Sequence, residues 1–461
     1  MKKTLVTISL LAAACWVSAS YYAGVQAESA YEKLLPQLSM MEPMVFEKES
    51  FDKGLMTSHA ITAVRESRSE NALVAFRLMH EIKHSPIRVN EKGPQFATAT
   101  IRTTLSDYST NPDFLKFLDL FHDGEPIEII STAKLNGNID SVVHIGAFDV
   151  ETGEDQDILS IAPSSLNAIT NAGRTQGSGT IGRMTMTDRN GITMTGVKSL
   201  LEFNLANTDY WRHNYEFTWS MSDMTIESPD LQKSVRANGL SLGTDSTVSN
   251  NELSQNVFFA IDQIDTGDAM PSDLAPITSG KVNIAVSNLS LDAVQSYVNW
   301  AKTQSIQNRG RQTAPLSTEL LDALSHLVTK GTTFELKSAL GNAGGNANAE
   351  YRLRFVGDNS STGYDNIITV ADLANALEME LSILADKSAI EMTPAAVLLQ
   401  FPVVQRLIKD SDEQYLGKAT QKSITIDFNG EPVSLYELLG DGLDMPVRAL
   451  IERSSAQRES W

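Results

Sequence analysis

The stretch that decides the fold is VAFRLMHEIK, Val74 to Lys83, in which large apolar side chains recur at nearly every second position. Successive side chains of a β-strand point to opposite faces, so this pattern predicts a strand with one face turned toward a core. A second stretch, YEFTWSM from Tyr215 to Met221, has the same period of two. Both stretches are predicted to be half-buried strands.

The same period extends along most of the chain. Asn-Gly pairs at Asn136, Asn190 and Asn429 lie between apolar runs and predict two-residue hairpin turns in which both residues have positive φ. Such turns join neighbouring strands, so the sequence predicts antiparallel meanders. Further strands are predicted at Phe96 to Leu105, Ile127 to Leu135, Ser141 to Ala147, Thr180 to Asp188, Ile192 to Val197, Val257 to Ile264, Val282 to Val286, Tyr351 to Val356 and Ile424 to Phe428.

Helical spacing is confined to a few segments, so the predicted fold class is α+β and mostly β. We expect a long antiparallel meander that forms a large twisted sheet or an open groove, with helices inserted in the C-terminal half. Residues 341–346 are predicted to be a flexible loop, and the polar residues 304–315 a second loop at which the body could be subdivided. The predicted helices are Ala30 to Leu38, Leu291 to Lys302, Thr318 to Lys330, Ala389 to Lys409 broken at Pro394 and Pro402, and Leu435 to Leu439.

Composition excludes several classes of protein. The 461 residues include 37 Lys and Arg against 57 Asp and Glu, a net charge of −20, which argues against a nucleic-acid partner. A single cysteine excludes a disulfide framework and a thiolate-rich metal site. No cofactor is expected. Hydrophobic content of 42% suits a folded soluble body and is too low for a polytopic membrane protein.

The N-terminal segment predicts where the protein is located. Residues 4–24 carry no charge and follow Lys2 and Lys3. As a helix they would span about 31 Å, the thickness of a bilayer core. We expect a single-pass anchor in the bacterial inner membrane, with residues 1–27 as the membrane segment and residues 28–461 as a periplasmic body. A cleaved signal peptide ending at Ala27 and a lipoprotein modified at Cys15 are the alternatives.

Two motifs look catalytic, and neither has the required context. His80-Glu81-Ile82-Lys83-His84 matches H-E-x-x-H, but that zinc-protease motif needs a helix, and a strand would place the two histidines about 13 Å apart. The residues GSGTIG at 177–182 match the dinucleotide-binding pattern, yet polar residues precede them and a strand follows, so a loop is expected. The sequence therefore predicts no enzyme activity and no metal site.

Three segments resemble the YdgA-like family of bacterial envelope proteins, whose function is unknown. Residues Phe51 to Ser58 are similar to a family strand of the pattern Tyr-x-Arg-Gly-x-Phe-Ser-Ser, and Ile82 to Pro86 to a strand that ends in His-Gly-Pro. The hairpin from Ile424 to Gly430 resembles the last family hairpin. Lys53, Met56 and Ser85 depart from the family residues. The resemblance implies a membrane segment and a long β-rich body; the matching positions Gly54, Ser58, His84 and Pro86 have no known role.

A tethered, acidic β body suggests a binding function rather than a catalytic one. The side chains of Tyr215, Phe217, Trp219 and Met221 would share one face of a strand, which predicts a groove for the acyl chains of a phospholipid. The same residues could instead pack against helices as ordinary core. The alternative function is a non-enzymatic envelope scaffold that binds another protein through exposed strand edges.

Overall fold

The computed structural model describes the chain in segments that form two compact units. One unit consists of Met1–Thr208 with Ile226–Pro229, and the other of Asp209–Thr225 with Asp230–Trp461. We refer to them as unit 1 and unit 2. The described residues are 28, 31–32, 44–66, 74–84, 87–90, 93–105, 115–116, 118–122, 126–134, 136–152, 157–171, 173–206, 212–229, 234–266, 276–298, 328–357, 369–391 and 393–447.

Unit 1 is an antiparallel sheet whose strands follow one another along the chain. Its central ladder runs β1–β2–β3–β5–β6–β7–β10–β11–β13, and β8, β9 and β12 form a branch that pairs with the first residues of β13. The strands are β1 Met44–Asp52, β2 Thr57–Glu66, β3 Val74–Lys83, β4 Ile87–Asn90, β5 Gly93–Leu105, β6 Ile127–Lys134, β7 Ile139–Ile145, β8 Phe148–Thr152, β9 Asp157–Ile161, β10 Ser164–Thr170, β11 Arg174–Ile181, β12 Met184–Thr187 and β13 Thr193–Ala206.

Unit 2 is also antiparallel. Its ladder runs β15–β16–β18–β19–β20–β21–β23–β24–β25. The short strand β17 pairs with β15 and β18, and the short strand β22 pairs with β23. The strands are β14 Tyr215–Glu227, whose last residues belong to unit 1, β15 Val235–Ser249, β16 Glu252–Ile261, β17 Gln263–Asp265, β18 Ile277–Ser290, β19 Thr333–Asn342, β20 Gly345–Phe355, β21 Leu377–Asp386, β22 Ile408–Asp410, β23 Gln414–Lys422, β24 Thr425–Phe428 and β25 Glu431–Ser434.

Short helices cover parts of unit 2. Residues 291–298 form α1, which packs Leu291 and Val294 against Leu253 of β16. The others are α2 Val370–Asn375, α3 Lys387–Glu391, a 3-10 helix Pro394–Gln400, α4 Pro402–Leu407, α5 Leu435–Leu439 and a 3-10 helix Gly440–Asp444. Proline starts the first 3-10 helix and occupies the first turn of α4, where its missing N–H costs no hydrogen bond.

Most of the predicted secondary structure is confirmed. The body is mostly β, its sheets are antiparallel, and its helices lie chiefly in the C-terminal half. Strands β3 and β14 contain the two stretches with a clear period of two, Val74 to Lys83 and Tyr215 to Met221. The loop predicted at 304–315 and the anchor predicted at 4–24 lie outside the described residues. The helix predicted from Thr318 to Lys330 also lies outside them up to residue 327, and the described residues 328–330 are not helical. Among the residues that the structure describes, no helix combines the length and the apolar character needed to cross a membrane.

Three local predictions are wrong. Only the Asn429-Gly430 turn has two residues at positive φ, while at Asn136 and Asn190 only the following glycine does. Backbone hydrogen bonds join Lys134 to Asn138 and Asp188 to Ile192, so each connection is a three-residue loop and not a two-residue turn. In such a loop one left-handed residue is enough, here Gly137 or Gly191. Residues 341–346 are not a loop, because β19 and β20 join there through the two-residue turn Ala343-Gly344.

The glycine-rich stretch at 177–182 is also not the expected loop. Gly177 and Gly179 lie in β11. A Cβ at Gly177 would come within 2.7 Å of the Phe203 ring, and a Cβ at Gly179 within 2.7 Å of Leu166 Cδ1. The nearest atoms are backbone oxygens of β10: Asn167 O would lie 2.3 Å from a Cβ at Gly177, and Ser165 O would lie 2.6 Å from a Cβ at Gly179. Glycine is required at both positions because this backbone cannot move aside.

Candidate functional site

An apolar cavity of about 640 Å³ lies above one face of the sheet of unit 2. Its floor crosses β16, β18, β19, β20 and β21. Phe259 pairs with Val282, Val282 with Ser338, and the row continues across Ala349 to Ile383, so all these side chains point to one face. The floor is therefore a surface of aligned cross-strand neighbours.

The roof of the cavity comes from the segment between β21 and β22. Ile390 of α3, Leu399 of the 3-10 helix, and Val404 and Leu407 of α4 all line the cavity. Leu407 is anchored below by Ala419 and Phe428, with which it forms a buried cluster. The C-terminal end of the roof is thus fixed to the sheet, and the space lies between the roof and the floor.

Small residues on the floor explain why this space is open. Ala347, Ala349 and Ala385 line the cavity together with Gly280. Each stands at a position where a neighbouring strand has a larger side chain, such as Leu340 or Ile383, on the same face. A methyl group reaches far less deeply toward the roof than leucine does, so a volume remains that no side chain fills.

Few polar side chains line the cavity, among them Ser338 on its floor and Tyr415. Tyr415 of β23 lines it and donates its hydroxyl to a Glu391 carboxylate oxygen at 2.9 Å, and this bond raises the pKa of Tyr415. Lys387 forms an ion pair with Asp410 and lies 5.7 Å from the centre of the Tyr415 ring. The hydrogen bond with Asp410 raises the pKa of Lys387. The arrangement suits a ligand with an apolar body and a polar end.

The apolar floor continues outside the roof. Leu242 of β15 pairs with Phe259, and Phe259 with Val282, and these side chains are 41%, 43% and 36% exposed. Ile284, two residues further along β18, is 39% exposed on the same face. The cavity therefore opens onto an apolar strip rather than onto a polar surface.

The predicted groove residues lie together on β14 and do not line this cavity. Tyr215 and Met221 are buried, whereas Phe217 and Trp219 are half-buried. The Tyr215 hydroxyl accepts a hydrogen bond from Gln255 Nε2 at 2.8 Å, which fixes this end of β14 to β16. The shared face predicted from the period of two is present, but the described cavity is lined by other residues.

In unit 1 the structure joins two positions of the family resemblance. Ser58 Oγ lies 2.8 Å from His84 Nε2, and the two side chains are 0% and 1% exposed. His84 also donates its backbone N–H to the Met56 carbonyl. Gly54 makes the turn before β2 possible, since a Cβ there would lie 2.1 Å from the Thr57 carbonyl oxygen. Pro86 lies outside the described residues.

His80 belongs to a separate chain of side-chain hydrogen bonds on the same face. Its Nε2 lies 2.8 Å from Thr62 Oγ1 and its Nδ1 lies 2.8 Å from Thr103 Oγ1. The Tyr31 hydroxyl lies 2.5 Å from Thr62 Oγ1, and the Tyr31 and His80 rings meet edge to face. Burial lowers the pKa of His80 to about 4 and lowers that of His84 as well.

The H-E-x-x-H residues therefore lie on and just after a strand, as predicted. His80 is within β3 and His84 follows it directly. Each imidazole is directed at hydroxyl groups of neighbouring strands. Within the described ranges no group of three or more His, Cys, Asp or Glu side chains is placed to hold a metal ion.

Comparison with known families gives one match. The family described as "Bacterial protein of unknown function (DUF945)" matches residues 1–431. The chain belongs to this family. No curated protein and no solved structure matches the chain. Membership in DUF945 confirms that this is a bacterial protein from a family whose function is unknown.

Sequence reasoning missed the cavity of this DUF945 protein. The signal was present in Asn346-Ala347-Asn348-Ala349, where alanine takes every inward position and polar residues take the outward ones. A row of alanines on the inward face of a strand predicts unfilled volume above the sheet. Whether another element fills that volume depends on the position of the roof. The roof segment has no such regular signal, because Pro394 and Pro402 divide it into pieces of one or two turns.

Proposed function

We propose that this DUF945 protein is a membrane-anchored protein of the bacterial envelope that holds a hydrocarbon chain of a phospholipid in the cavity of unit 2. The observation that carries the proposal is the apolar cavity of about 640 Å³. Sites for small ligands have volumes of roughly 300–1,000 Å³ and are mostly apolar. A cavity of this size between a sheet and short helices fits an acyl chain.

The chemistry of the lining supports a hydrocarbon rather than a polar metabolite. Most of the residues that line the cavity are apolar, the exceptions being Lys281, Ser338, Asn348 and Tyr415. A sugar or a nucleotide would lose its hydrogen bonds to water there without replacement. Binding of an acyl chain is favoured by a free energy of about 25 cal/mol for each Å² of apolar surface removed from water. We place the ligand here rather than along β14, because Phe217 and Trp219 do not line the cavity.

The location is proposed from the sequence. Residues 4–24 are uncharged and follow two lysines, which supports an inner-membrane anchor with a periplasmic body. The narrower assignment to YdgA-like envelope proteins is part of this proposal, and the contact between Ser58 and His84 supports it because it joins two of the resembling segments. We propose a binding protein without catalytic activity and without a cofactor.

The second candidate is a scaffold that binds another envelope protein. On the outer face of unit 2, Leu384 of β21 and Leu416 of β23 are direct cross-strand neighbours and are 47% and 42% exposed. An exposed apolar pair of this kind favours a protein contact. Replacing both leucines by serine would abolish such a contact and leave the cavity unchanged.

Native mass spectrometry of the full chain, with lipid extraction from the same sample, tests the proposal. We expect about one phospholipid per chain after the purification detergent has been exchanged. A chain mass without an adduct, together with an extract without phospholipid, would contradict lipid binding. The scaffold would then be the remaining candidate function. Loss of lipid in a folded Trp219→Glu variant would place the acyl chain along β14 and contradict the cavity.

A further inference from the structure

The turn between β1 and β2 presents two large apolar side chains to solvent. Leu55 and Met56 are 51% and 48% exposed, although Ser58, only two residues further on, is 0% exposed. Gly54 tightens the turn, since a Cβ there would clash with the Thr57 carbonyl oxygen at 2.1 Å. The two side chains are therefore held outward by a compact turn and not by a long loop.

The first described residues of the chain are fixed beside this turn. A Glu28 carboxylate oxygen lies 3.8 Å from Lys53 Nζ and the other lies 3.8 Å from Lys48 Nζ. Glu32 forms a closer ion pair with the same Lys48. Tyr31, 8% exposed, packs on Ala60 and Ile82 in a buried cluster. These contacts hold Glu28, Tyr31 and Glu32 on the sheet.

The position of Glu28 limits how far the turn can lie from the uncharged segment. Gly24 ends that segment and precedes Glu28 by four residues. Four residues span at most about 14 Å even when fully extended. If residues 4–24 cross the membrane, the turn at Lys53 is within reach of the lipid headgroups.

We propose that the turn of Lys53, Gly54, Leu55 and Met56 rests in the lipid surface next to the anchor and holds unit 1 against the membrane. This inference relies on the membrane anchor of the proposed function. Leucine and methionine enter the region between headgroups and acyl chains, while a lysine extends its charged end toward water. The ion pair between Lys53 and Glu28 neutralises the charge beside that entry point.

The register of the sheet supplies a matched control position. Ile192 is 38% exposed and directly precedes β13. Cross-strand pairs align Thr57 with Asn204, which lies near the C-terminal end of β13. Ile192 lies next to the N-terminal end of the same strand. An exposed apolar side chain at Ile192 thus lies at the opposite edge of unit 1. The aligned positions are Thr57, Lys83, Thr100, Thr132, Asp140, Ile169, Gln176 and Asn204.

Depth-dependent quenching in vesicles tests the proposal on the full chain. In a Cys15→Ala background, Leu55→Cys, Met56→Cys and Ile192→Cys variants would each carry an environment-sensitive dye. Vesicles of phosphatidylethanolamine and phosphatidylglycerol would contain nitroxide-labelled lipid. We expect a blue-shifted emission and loss of most fluorescence at positions 55 and 56, and water-like, unquenched emission at position 192.

Alkaline carbonate extraction of the same vesicles separates the two ways in which the proposal can fail. If the chain resists extraction and all three dyes remain water-like, the anchor stands and the turn does not enter the lipid surface. If carbonate releases the chain, the anchor of the proposed function is wrong and this inference falls with it. Equal quenching at all three positions would also overturn the inference, because the contact would not be specific to the turn.

Discussion

The side chains of Ser58 and His84 form a hydrogen bond of 2.8 Å inside unit 1, where neither is open to solvent. The bond joins β2 to the end of β3. Among the described residues, His84 Nδ1 has no hydrogen-bond partner. Because a neutral imidazole has one donor and one acceptor nitrogen, this bond satisfies only one of them. The Ser58 hydroxyl is therefore the main polar contact of a buried imidazole.

We expect Ser58→Ala to lower the free energy of unfolding by about 1–3 kcal/mol. The change leaves both ring nitrogens of His84 buried without a partner, and an unsatisfied buried polar group costs about that much. Urea denaturation followed by circular dichroism measures the difference. Ser50→Ala, on the exposed face of β1, is the control and is expected to change stability by less than about 0.5 kcal/mol. Equal midpoints for both variants would show that the Ser58 bond contributes nothing.

Acid should destabilise unit 1 through His80. Burial lowers the pKa of His80 to about 4, so the unfolded chain binds a proton at a higher pH than the folded chain does. The full stability is present above the unfolded pKa near 6.5 and is lost as the pH falls toward 4. The expected loss over this range is about 3 kcal/mol. His84, whose pKa is also lowered, acts in the same direction.

Urea midpoints recorded between pH 7.5 and pH 4 measure this loss. A His80→Gln variant removes the titrating group and keeps an uncharged side chain able to bond Thr62 or Thr103. We expect its stability to fall less steeply with acid than that of the unchanged protein, with the remaining slope due partly to His84. Parallel curves for the two proteins would contradict the assignment to His80.

Much of the fold could be predicted from the sequence, because a half-buried strand repeats its pattern every two residues. β3 and β14 are clear cases. The helix α2 was missed because its six residues show no period, although Thr369 and Asp372 form a capping box that marks its start. The turn Asn250-Asn251, in which both residues have positive φ, was not predicted. Asparagine adopts positive φ less often than glycine does, so the pair is a weaker turn signal.

The candidate sites could be predicted only in part. The resemblance singled out Ser58 and His84 separately, but their contact depends on the register of β2 against β3. The cavity depends on a roof that belongs to short helices after β21. No local pattern links Ala349 to Leu399, since they are brought together only when the roof packs on the sheet.

His80 and His84 should bind no zinc. Four residues along a strand span about 13 Å, too far for two ligands of one ion. Elemental analysis of the purified protein should find far less than one zinc per chain, and His84→Ala should leave that amount unchanged. One tightly bound zinc per chain that disappears in this variant would contradict the strand-based argument.

Residues 4–24 should remain attached in the mature protein. Their uncharged length matches a bilayer core, and Lys2 and Lys3 favour an orientation with the body outside the cytoplasm. N-terminal sequencing and the intact mass of protein isolated from membranes measure the outcome. A mature chain that starts at Glu28 would show cleavage, and a diacylglycerol mass on Cys15 would show a lipoprotein.

The most direct test of lipid binding compares two alanine-to-leucine changes. Ala349 lies on the floor of the cavity, whereas Ala285 of β18 does not line it and lies between Asn256 and Glu335 on the opposite face of the sheet. Both variants would be purified as full chains, and bound phospholipid would be counted by native mass spectrometry. We predict that Ala349→Leu loses most of its lipid and Ala285→Leu keeps about one per chain. Full retention in a folded Ala349→Leu variant would contradict the cavity as the lipid site.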